Sequence, residues 1–206
     1  MVIHEMFHHF QYNTPQLWNY VKDTMAHLSS DSRDMERLCR EDKQFLVLIQ
    51  NENEVLMEAI EAENVATRDS LISSYLTKRN RRIGKYSAEN PDLEQVENYY
   101  IIQEGSARYI EYQSMLVLNE FFNSPDAPKV VEDSAFQPFA EFEEIDLNDR
   151  AFSYLTYPAA HDYHYTLGFN TMRLLDQLNS DYKKQLLANP QRPLHSYLRD
   201  HLKSLP

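Results

Sequence analysis

Residues 4 to 8 of this chain, His4-Glu5-Met6-Phe7-His8, spell H-E-x-x-H. On a helix, residues four apart lie one above the other on the same face. His4 and His8 can therefore converge on one Zn²⁺, with Glu5 beside them to polarise a bound water. Such a pair is half of a site. It needs a third ligand, a group to stabilise charge developing on an attacked carbonyl, and helices to hold them all. Glu5-x-x-His8 also fits the E-x-x-H ligand pair of di-iron carboxylate bundles, but those need a second E-x-x-H on a partner helix. The chain has none.

The third ligand has a candidate far along the chain. Gln103-Glu104-Gly105-Ser106-Ala107-Arg108-Tyr109-Ile110-Glu111 carries the pattern E-G-x-A-x-Y-x-E. H-E-x-x-H followed by this pattern resembles the gluzincin metallopeptidases, particularly the aminopeptidases related to leukotriene A4 hydrolase. The resemblance implies that Glu104 is the third zinc ligand. The residue types agree: a glutamate on a second helix supplies an anionic oxygen, Gly105 lets the two ligand-bearing helices approach, and small Ser106 and Ala107 leave room. The 96 positions from His8 to Glu104 are far more than those aminopeptidases use. Some bacterial gluzincin-like proteins of poorly assigned function are more similar, with H-E-x-F-H-x-x-Q, long intervening helices and a late E-G-x-A-x-Y.

Two further residues are candidates, the first from the same resemblance and the second from helix geometry. Tyr165-Thr166-Leu167-Gly168-Phe169 resembles the Y-x-x-G-x segment in which a tyrosine hydroxyl donates to the oxyanion. Tyr165 is thus the candidate for electrophilic assistance, with Tyr157, Tyr163 and His164 as neighbouring competitors. Glu111 lies two turns after Glu104 and nearly on its face, where it either orients a ligand histidine through the ring's other nitrogen or faces solvent. His9 points about 100° away from His8 and is expected at a surface or core edge. Phe7, Phe10 and Gln11 are expected to pack the motif helix. No G-x-M-E-N segment is present, so exopeptidase specificity does not carry over.

The elements that must position these residues read as helices. The first runs from about 2 to 12, ended by Asn13-Thr14-Pro15, since the residue before proline avoids the helical region. Thr14 then caps a second helix that opens with Pro15 and stops around Ser29-Ser30-Asp31. A long helix is expected from Ser32 to Glu63, with Phe45, Leu48, Ile49, Leu56, Ala59 and Ile60 as its apolar stripe. Glu52 falls on that stripe, where it either snorkels to water or points at the metal or one of its ligands. Another helix runs from Val65 to Arg82, with Gly84 as its stop. The basic run Lys78-Arg79-Asn80-Arg81-Arg82 marks its C-terminal turn, where cations oppose the helix dipole. A helix from Asp92 to Phe122 carries the Glu104 segment. Residues 123–149 form an acidic, proline-dotted loop draped over the cleft, with Val130-Val131 as the strand candidate. Helices at His161–Leu178, Ser180–Leu187 and Leu194–Lys203 complete the chain.

Composition fits this picture. The 206 residues suffice for one well-cored domain, 1–206. Only three glycines and long runs of helix formers favour helix over sheet, and fourteen tyrosines with ten phenylalanines supply an aromatic-rich core or cleft. A net charge of −12 argues against nucleic acid or an anionic membrane as partner. One cysteine, Cys39, excludes an internal disulfide and a cysteine-based zinc cluster. No apolar run reaches the ~18 residues of a membrane span. No signal peptide is visible, and the compartment is left open.

The expected fold is mainly α: a zincin-like helical catalytic domain, with residues 32–90 as a long helical insertion between the second and third ligands, C-terminal helices over 161–206, and little or no β-sheet. The expected function is zinc-dependent hydrolysis of a peptide or protein substrate, with His4, His8 and Glu104 holding Zn²⁺ and Glu5 as general base. Zincin folds place a β-sheet before the motif helix, and this sequence begins at that helix. The resemblance therefore implies a preceding part outside it. The alternative is a truncated or catalytically weak zinc-binding module that acts through binding.

Overall fold

The computed structural model describes residues 2–122, 124, 125, 127, 146–160, 162–178 and 181–205, apart from the side chains of Ala151 and Leu187. All regular structure among them is helical. The helices are α1 (Val2–Tyr12), α2 (Pro15–Asp23), α3 (Ser32–Glu41), α4 (Lys43–Glu61), α5 (Val65–Tyr86), α6 (Leu93–Phe122), α7 (Ser153–Thr156), α8 (Tyr163–Leu178), α9 (Tyr182–Ala188) and α10 (Leu194–Lys203). Short 3₁₀ turns lie at Met25–His27 and Arg150–Phe152. The Val130-Val131 strand candidate, His161 and most of the 123–149 loop lie outside the described residues.

Local chemistry sets several boundaries differently from the sequence expectation. The expected Ser32–Glu63 helix is two helices, because the Asp42 carboxylate accepts from the backbone N–H groups of Gln44 and Phe45 and caps α4. Asp31 and Asp34 form a reciprocal capping box at the start of α3. Thr14 precedes α2 but makes no side-chain cap; its hydroxyl donates back to Phe10 O at 3.2 Å. That helix ends at Asp23, because Thr24 leaves the helical region at φ −127°. Gly84 does not stop α5, which continues to Tyr86. Helical glycine costs about 1 kcal/mol but does not forbid helix.

The 30-residue α6 is the central strut. It packs against α1 on one side and α8 on another, while α4, paired with α5 as a hairpin, lies on α8. Residues 32–90 thus build α3, α4 and α5. Their apolar faces, including Phe45, Ile49, Leu56 and Ile72, share one core with Val96, Phe169 and Leu174. Leu17, Tyr20 and Tyr99 form a smaller cluster that pins α2 to α6.

That core contains charge. Arg79 and Arg82, from the basic run expected at the C-terminal turn of α5, are each 1% exposed. Arg82 grips Glu52 through Nε–Oε1 and Nη2–Oε2 at 2.7 and 2.8 Å. It also donates through Nη1 to Glu97 Oε2 at 2.7 Å. Arg79 donates to Glu94, Glu97 and Asn98, and the Tyr163 hydroxyl donates to Glu97. Two buried guanidinium groups thus face two buried carboxylates, and the cluster ties α4, α5, α6 and α8 together. Glu52 therefore neither snorkels to water nor reaches the metal-ligand candidates: both its oxygens are taken by Arg82.

Candidate metal centre

Helix periodicity places His4, His8 and Gln11 on the inward face of α1, and α6 presents Glu104 to them. His8 Nε2 lies 2.9 Å from His4 Nε2 and 3.1 Å from Glu104 Oε2. His4 Nε2 is 3.3 Å from the same oxygen. These three residues form the one group among the described residues whose ligand atoms converge closely enough to hold a metal ion.

Gln11 determines what His8 presents. Its Nε2 donates to Gln103 O at 3.2 Å and to Ser106 Oγ at 2.9 Å. Its Oε1 must then face His8, whose Nδ1 donates to it at 2.8 Å. The proton being on Nδ1, the lone pair of His8 sits on Nε2 and points into the triangle. Carboxylate and imidazole lone pairs converging at about 3 Å call for a cation or shared protons between them. A tetrahedral site with bonds of about 2.0–2.1 Å has ligand–ligand edges of about 3.3 Å. The observed triangle matches that within a few tenths of an ångström, so the residues fit a zinc ion. His4 Nδ1 is buried without a hydrogen-bond partner.

Without a metal, the electrostatics favour shared protons. Burial works against a charged His8, but the bonds to Glu104 and Gln11 outweigh it and raise its pKa above the ordinary value. Burial would likewise raise the Glu104 carboxyl, yet His4, His8 and Tyr165 hold it well below the usual range. The Tyr165 hydroxyl bonds Glu104, and burial together with that carboxylate pushes the phenol well above its normal pKa. Tyr165 therefore keeps its proton and remains a donor. Glu5 is exposed on the same helix, and its charge acts on both His8 and Tyr165.

Tyr165 reaches the cluster because two glycines let α6 and α8 touch backbone to backbone. A Cβ on Gly105 would lie 2.4 Å from Gly168 Cα, and one on Gly168 would lie 2.2 Å from Ile101 O. The close approach at Gly105 is thus to α8, not to the motif helix as the sequence suggested. Of the competitors, Tyr157 is exposed, Tyr163 is buried on Glu97, and His164 packs against Tyr100 and Tyr165.

Glu111 accepts from Arg108 Nη1 at 2.7 Å, and it is Gln11 that takes the second ring nitrogen of His8. The missed signal was local, since Gln11 stands three residues after His8, one turn along the same face. His9 is bonded to exposed Asn13, and Phe7 stacks on Phe10. Arg108 was also missed; its guanidinium lies 5.4 Å from the ring centroids of both Tyr154 and Tyr165.

No protein-family model matches the chain, and neither a curated protein nor a solved structure matches it.

Proposed function

We propose that this protein is a zinc-dependent hydrolase of peptide bonds. One observation carries the reading: His4 Nε2, His8 Nε2 and Glu104 Oε2 lie 2.9 to 3.3 Å apart, with the His8 tautomer set by Gln11. His4, His8 and Glu104 would hold the ion, which when bound supplies Lewis acidity to a water and to a substrate carbonyl. Glu5, exposed beside the cluster, takes the proton of the attacking water and passes it to the leaving amine. Tyr165, held protonated next to Glu104, donates to the oxyanion as the carbonyl becomes tetrahedral. Gln11 keeps His8 in the tautomer that leaves Nε2 open, and Gly105 with Gly168 brings Tyr165 within reach.

The test is metal analysis of protein purified without added metal. Wild type and Glu5→Gln are expected to carry zinc at near one equivalent, and Glu104→Ala to lose most of it. Full zinc occupancy in Glu104→Ala would remove Glu104 from the ligand set. Zinc-loaded wild type should then cleave members of a mixed peptide library that Glu5→Gln leaves intact. If wild type binds zinc but cleaves nothing, the site belongs to a binding module instead.

A further inference from the structure

Tyr165 borders two spaces. One is the cluster with Glu104; the other is a cleft of about 590 Å³, within the usual size range of small-molecule pockets. Helix α6 forms one side of this cleft, because Glu104, Arg108, Glu111 and Met115 follow one another along one face of the helix. Phe152 and Tyr154 form the other side. The cleft therefore follows the candidate metal centre along α6, with Tyr165 common to both.

Its charged groups are engaged with the protein. Arg108 Nη1 donates to Glu111 Oε2 at 2.7 Å, and the guanidinium packs over the rings of Tyr154 and Tyr165. Asp162 Oδ1 accepts from the backbone N–H of Ala159 at 3.0 Å. Guanidinium and carboxylate neutralise one another along α6, so neither selects a charged ligand group. Beyond these groups the lining is the thioether of Met115 and the aromatic surface of Phe152, Tyr154 and Tyr165.

We propose that this cleft is the side-chain subsite of the centre and takes a large apolar side chain, aromatic or long aliphatic, next to the peptide group held at His4, His8 and Glu104. This rests on the zinc reading above. Burying a side chain of that size from water is worth about tenfold to a hundredfold in affinity.

Hydroxamates separate the two ideas, because the hydroxamate group chelates zinc whatever side chain it carries. Binding of acetohydroxamate and of the N-acetyl hydroxamates of phenylalanine, leucine, lysine and aspartate to the zinc-loaded protein is measured by calorimetry. The phenylalanine and leucine compounds are expected to bind at least about tenfold tighter than acetohydroxamate, and the lysine and aspartate compounds within about threefold of it. Phe152→Ala, and independently Met115→Ala, should remove most of the phenylalanine advantage. Acetohydroxamate binding should be unchanged in both, which also reports that the variants are folded. Equal binding by all side chains, or preference for lysine or aspartate, overturns the subsite and leaves the zinc reading standing. Failure of acetohydroxamate itself to bind overturns the zinc reading, and the subsite with it.

Discussion

Glycine to alanine at two helical positions should shift stability in opposite directions. Gly84 and Gly168 both lie inside helices, α5 and α8, so alanine gains about 0.5–1 kcal/mol of helix propensity at each. At Gly84 a Cβ meets nothing within 4 Å, and that gain should appear undiminished. At Gly168 the same Cβ would stand 2.2 Å from Ile101 O and 2.7 Å from Gly105 Cα. Comfortable distances are about 3.3 Å for carbon to oxygen and at least about 3.5 Å between carbons. The shortfall is about 1 Å against backbone, which no rotamer change relieves. The helices must separate by about that much, and overpacking of this kind costs about 1–3 kcal/mol or more. After the propensity gain, Gly168→Ala should lose roughly 2 kcal/mol while Gly84→Ala gains up to about 1. Urea unfolding in the presence of a chelator measures both without a contribution from metal. If Gly168→Ala proved as stable as wild type, α6 and α8 would not meet at this pair, and the placement of Tyr165 beside Glu104 would fall with it.

Gln11→Leu keeps the volume of the side chain but leaves His8 Nδ1 without its acceptor, so zinc affinity measured by competition with a chelating dye should fall about 10–100-fold. Equal affinity would deny Gln11 its orienting role. Arg82→Met leaves the Glu52 and Glu97 carboxylates facing each other in the core without their shared cation. Chemical denaturation should show a loss of about 3–5 kcal/mol, whereas a loss below about 1 kcal/mol would mean the pair is solvated. His195 is 6% exposed, and burial, with the charges of Arg79 and Arg199, lowers its pKa to about 2. An unfolded histidine protonates near pH 6.5, so between those values the unfolded state binds the extra proton and stability falls as the pH falls. The contribution lost by pH 5 is about 2 kcal/mol, and a His195→Gln stability profile should be flatter than wild type by that amount. Parallel profiles would place His195 in water.

Much of the helical framework is legible locally. Val2–Tyr12 and Leu194–Lys203 have the bounds expected from proline positions and apolar periodicity, because both signals act within a few residues. The break at Asp42 was equally local but was hidden by the charged surroundings of α3, where an aspartate reads as one more surface residue. The spacing of His4, Glu5 and His8 determined that two imidazoles share a helix face, since that follows from 3.6 residues per turn alone. Which residues complete the constellation depends on contacts between segments far apart in the chain. Tertiary packing sets Glu104 against His8 across 96 positions. It also joins Gly105 to Gly168 and hands Glu52 to Arg82 instead of to a metal ligand. Residue type states what a side chain can bond, but burial and partnership belong to the packed structure. A glutamate on an apolar stripe is consistent with several fates until the helix opposite supplies its cation.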